Sequence, residues 1–96
     1  MLQLSKNLQL TCIDENNFQG DKLLAVACYF TFFGEEGTAY ISTNKLDNGY
    51  PSYGMTEMSS ELSDSFNELI EDNWDKIVEK VKEYIAKWEL DNAEAD

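Results

Sequence analysis

The stretch KLLAVACYFTFF, residues 22–33, has no polar side. Leu24, Val26, Cys28, Phe30 and Phe32 alternate with Leu23, Ala25, Ala27, Tyr29, Thr31 and Phe33, and a strand apolar on both faces belongs in the middle of a sheet. In a chain of 96 residues, with room for one hydrophobic core, everything else has to be arranged around it. LQLTCI at 8–13 turns Leu8, Leu10 and Cys12 to one side and Gln9 and Thr11 to the other, the period-2 pattern of a half-buried neighbour. LQL recurs at 2–4, either as an earlier start of that strand or as a short companion. DENNFQGD at 14–21 reads as a polar turn. GEEG at 34–37 reads as a hairpin loop leading into a strand TAYIST at 38–43; with Phe33 opposite Thr38, Phe30 falls opposite Ile41. The following NKLDNGYPSYGMTEM at 44–58 holds the one proline and a DNG turn, with room for a fourth strand around 53–56.

At Ser59 or Ser60, either of which suits an N-cap, the period changes to 3.6. Leu62, Phe66, Leu69, Ile70, Trp74, Ile77, Val78, Val81, Ile85 and Trp88 recur at helical spacing. One unbroken helix of that length would span ~45 Å at 1.5 Å per residue, long for a small sheet, so a break is expected near Asp72 to Trp74. The fold class that follows is α+β, an antiparallel sheet of three to four strands packed against a C-terminal helix or kinked helix pair. Residues 1–96 form a single domain, with the sheet in about 2–56, the helical part in about 59–90 and a fraying tail at 91–96.

Charge narrows the function classes. Nineteen acidic residues face seven lysines, with no arginine or histidine, for a net charge of -12. A surface so poor in cations does not grip phosphate, so direct nucleic-acid binding is not expected; the natural complement is a basic protein. No apolar run reaches the ~20 residues of a membrane span or makes a signal peptide, which reads as a cytoplasmic chain. Cys12 and Cys28 both fall on inner strand positions, where reduced buried thiols are expected; a disulfide, or a zinc site completed by carboxylates, are the minor alternatives. No histidine, glycine-rich phosphate loop or nucleophile elbow is present, so no catalytic residue, cofactor or metal is assigned and an enzyme is the least supported class.

The acidic residues are not scattered. On a wheel of 100° per residue, Glu57, Glu61, Asp64, Glu68, Glu71, Asp72, Asp75 and Glu79 lie within roughly 60° of one direction, opposite the apolar stripe. Along a continuous helix they would put a charge every ~4 to 5 Å, against 3.4 Å per phosphate of one DNA strand. The plain alternative is a solvated face whose carboxylates favour the helix N-terminus. Against it stands cost, since like charges three or four apart lose about 0.2–0.5 kcal/mol per pair. A second candidate surface is the loop carrying Tyr50, Tyr53, Met55 and Met58, residue types that serve as interface anchors or, more commonly, close the end of a core.

In size, acidity, α+β composition and the carboxylate run at 57–79, the chain resembles the small phage-encoded inhibitors of bacterial restriction and CRISPR nucleases. The resemblance implies a cytoplasmic binding protein that competes with DNA or RNA for a defence nuclease. The rival classes are an immunity protein or antitoxin neutralising a basic nuclease toxin, and a non-catalytic adaptor subunit.

Overall fold

A computed structural model describes residues 2–47 and 51–93. Five strands run in sequence order across one antiparallel sheet: β1 (Leu2–Gln3), β2 (Leu8–Gln19), β3 (Lys22–Phe32), β4 (Glu35–Ser42) and β5 (Ser52–Tyr53). Two helices follow, α1 (Ser60–Asp72) and α2 (Trp74–Ala93). The layout is the expected α+β one, with the LQL companion strand and the short strand near Tyr53 raising the number of strands to five.

β3 is the central strand, as its two apolar faces require. Its inner residues Val26, Cys28, Phe30 and Phe32 meet Leu8, Leu10, Ala39 and Ile41 from the neighbouring strands and Phe66, Ile70, Ile77 and Val81 from the helices, all of them buried. Phe66 sets α1 against the sheet, with Phe30 edge-on at 5.5 Å between ring centroids and Tyr53 at 6.1 Å. Such edge-to-face pairs add to the area they bury. Ser59 caps α1 by accepting a hydrogen bond from the Leu62 amide at 3.2 Å.

Three β-bulges correct the alternation read from the sequence. Leu10 pairs with Phe30 but Cys12 with Tyr29, leaving Thr11 as the extra residue. Beyond a bulge every side chain changes face. Cys12 is therefore exposed on the outer face, contrary to the buried position expected for it, while Cys28 stays buried and both thiols are free. A second bulge leaves Asn16 unpaired on β2, and a third leaves Leu24 unpaired on β3. The third inverts the expected inner face at that end: Leu23 is buried and Leu24 exposed.

The hairpins are also tighter than expected. β2 runs through the polar stretch to Gln19, which pairs with Lys22, so DENNFQ is strand and only Gly20 and Asp21 turn. Phe32 pairs with Glu35, so the β3–β4 turn is Phe33–Gly34, with φ of 50° and 81°, and GEEG is not the loop. Two positive φ values define the turn that matches strand twist in a two-residue hairpin. Phe30 consequently faces Gly37 and Val26 faces Ile41, a shift of four residues from the expected register. An even shift keeps the same side chains inside.

α1 ends at Asn73, inside the expected interval, where φ is -105° and ψ is 19°. Lys76 and Ile77 then both donate to the Asn73 carbonyl as α2 begins. The apolar stripe explains the break. On one continuous wheel the direction of Leu62, Phe66, Leu69 and Ile70 differs by ~85° from that of Trp74, Ile77, Val78 and Val81, so a straight helix would turn part of the stripe away from the sheet. Trp74 anchors the corner by donating Nε1–H to the Leu46 carbonyl at 2.7 Å. From there α2 crosses beneath the sheet to β2, where Trp88 meets Phe18 at 5.6 Å and donates to Glu15 at 2.5 Å. α2 continues to Ala93, past the expected start of fraying at 91.

Candidate functional site: an acidic face on the two helices

With Phe66 and Ile70 buried in the sheet, the remaining side of α1 has to be solvated. It is occupied by Glu61, Asp64, Glu68, Glu71 and Asp72, all exposed. Beyond the break, Asp75 and Glu79 continue the exposed row on α2. Glu57 departs from the wheel. It lies three residues before the helix, exposed in the loop that follows β5, and so is not part of a helical row.

The structure brings in carboxylates that sequence spacing did not. At the corner, Asp75 and Glu79 line an open groove of about 340 Å³ together with Asp47, Trp74 and Lys82. Asp47 arrives there because Leu46, its neighbour, is held under Trp74. At the other end Glu57 joins Glu35 and Glu36 around a groove of about 690 Å³, tied by the hydrogen bond from the Thr56 hydroxyl to the Glu36 carbonyl at 2.7 Å. Neither association leaves a trace in a helical period. Both follow from loop contacts between residues twenty or more apart in the chain.

Among the described residues the one ion pair is Lys80–Glu83, at 3.3 Å. The carboxylates of the row thus have no lysine within ion-pairing distance. Of the lysines on α2, Lys82 borders the groove of Asp75 and Glu79, while Lys80 and Lys87 border a groove of about 270 Å³ with Leu2, Ile13, Glu83 and Tyr84. α1 itself carries no lysine, and the positive charge of the helix pair lies on α2.

The second candidate surface is divided. Tyr50 lies outside the described residues. Tyr53 packs against Phe66 and donates its hydroxyl to the Asn67 carbonyl at 3.4 Å, and burial, with the Glu71 charge nearby, pushes its phenol up to about 12. Met58 is buried, and Met55 stands fully in solvent.

The class these features define is a small α+β protein with a helix pair on one face of an antiparallel meander and an unpaired acidic row on that pair. No family model matches the chain, and neither a curated protein nor a solved structure does. Among the described residues no helix is long and apolar enough to cross a membrane.

Proposed function

We propose that the chain is a binding protein that blocks a basic nucleic-acid-processing protein, a restriction or CRISPR nuclease complex, by laying its acidic helices along the cationic groove that receives nucleic acid. The observation that carries this reading is the row Glu61, Asp64, Glu68, Glu71, Asp72, Asp75 and Glu79, exposed throughout and with no lysine partner among the described residues. Long-range attraction to a cationic groove speeds encounter, and the desolvated ion pairs formed on contact select the partner. The chain acts by occupying the groove and needs no chemistry of its own. Its cytoplasmic location belongs to the same reading, because the nucleases concerned work there.

The test is competition. Purified restriction endonucleases and guide-loaded CRISPR nucleases are challenged with labelled DNA in the presence of the protein, and displacement is measured at fixed ionic strength. Displacement from at least one of them is expected. Glu68→Lys with Asp72→Lys weakens it by more than Asp21→Lys with Asp91→Lys, which removes the same charge from exposed positions outside the row. Equal losses, or no displacement from any of them, would reduce the row to a solvated face.

A further inference from the structure

One end of the sheet combines two features that folding does not ask for. The first turn position between β3 and β4 is Phe33, at φ 50°, where asparagine or glycine is the favoured residue and an aromatic is strained. Phe33 touches Phe32, at 4.7 Å between ring centroids, yet it is 58% exposed. Nearby, Met55 is fully exposed and lines one groove with Gly34, the residue after Phe33. The rest of that groove supplies Glu35, Glu36 and Glu57, and Glu61 starts the helical row four residues further on. Met55 is thus set among carboxylates, and Phe33 immediately precedes Gly34 and Glu35 at the edge of the same groove.

We propose that Phe33 and Met55 are apolar anchors at the head of the acidic row, and that their partner is a basic protein surface with an apolar pocket rimmed by lysine or arginine. This rests on the reading of the row as a recognition surface and adds what the row lacks. Carboxylates attract any cationic surface, whereas an aromatic and a methionine entering a pocket discriminate among such surfaces. Charge complementarity selects this occupant: a second copy of the chain would bring Glu35, Glu36 and Glu57 against their own kind. Tension at the turn fits the same role, because residues that break a local rule gather where function requires them.

The probes are two synthetic peptides, one of alternating lysine and leucine and one of alternating lysine and serine, of equal length and charge. The leucine peptide is expected to bind at least about tenfold more tightly, by the apolar surface it can bury. Its titration moves the amide signals of Gly34, Glu35, Glu36, Thr56 and Glu57. Phe33→Asn with Met55→Ser brings the two peptides to within about twofold of each other, and the fold survives because Asn-Gly is the favoured pair for this turn. Phe18→Ser with Leu90→Ser, both exposed and far from this turn, leaves the difference intact. Glu68→Lys with Asp72→Lys weakens both peptides alike. A leucine advantage that is absent, that survives Phe33→Asn with Met55→Ser, or that vanishes with Phe18→Ser and Leu90→Ser overturns the anchor proposal. Serine-peptide binding indifferent to charge reversal overturns the underlying reading instead.

Discussion

Thr11 sets the two thiols apart. As the extra residue of a bulge it turns Cys12 to solvent and leaves Cys28 sealed in the core, so the two differ although alternation from Leu8 treats them alike. A thiol reagent should modify Cys12 quickly in the native protein and Cys28 only after denaturation; mass spectrometry of the labelled peptides separates the two, and rapid native labelling of Cys28 would contradict the packing. The same burial pushes the Cys28 thiol from 9.0 up to about 12, with a smaller contribution from Cys12. Tyr53 moves from 10.0 to about 12. Both pKa values are raised on folding, so their contribution to stability is complete below the unfolded values and is lost as pH rises through about 9 to 12. Urea midpoints should fall across that window, and Cys28→Ala, less stable at pH 8, should fall less steeply; parallel slopes would acquit the thiol. The strands were legible because alternation follows from burial. The bulges were not: Thr11 and Leu24 are ordinary strand residues, and Asn16 lies in a polar stretch whose composition reads as a turn.

Elements meet through a few contacts that a period cannot express. Gly37 faces Phe30 across the hairpin, and a Cβ there would come within 2.8 Å of the Phe66 ring and 3.0 Å of the Met58 methyl. Gly37→Ala should therefore cost about 1–3 kcal/mol by forcing α1 away from the sheet. Thermal unfolding tests it, and an unchanged midpoint would show that α1 has slack. At the corner, Trp74→Phe keeps most of the apolar contact but leaves the buried Leu46 carbonyl without its donor, an expected loss of about 1–3 kcal/mol in the unfolding free energy measured in urea. The break between α1 and α2 was readable from length, since one helix carrying the whole stripe would outrun a small sheet. The β3–β4 register was not, because the turn uses Phe33 where asparagine would have announced it; the inner face survived only because the error was even. The edge of β2 beyond its pairing with β1 carries the bulges at Thr11 and Asn16 together with the charged Asp14 and Glu15, the usual means of discouraging another strand from pairing there.

At the scale of the molecule, a charge of -12 on 96 residues makes the acidic row a burden to folding. Within α1, Glu68 has like-charged neighbours at Asp64, Glu71 and Asp72, three or four residues away on an exposed surface. Glu68→Lys alone turns three repulsions into three attractions, an expected gain of roughly 1–3 kcal/mol at low salt that shrinks as ions screen it. The wild-type protein should itself grow more stable between 10 and 500 mM sodium chloride, on the order of one Debye screening regime to the next. Recognition should move the opposite way, with Glu68→Lys folding more stably and displacing DNA from a nuclease less well. A solvated face has no reason to show that opposition, since relieving its repulsion costs it nothing. The decisive measurement is both quantities on the same variant at one ionic strength. A Glu68→Lys protein that is stabilised and binds undiminished would mean that the row's charge is not what the partner reads. One that is stabilised and binds worse would mean that the repulsion within α1 is retained for the sake of binding.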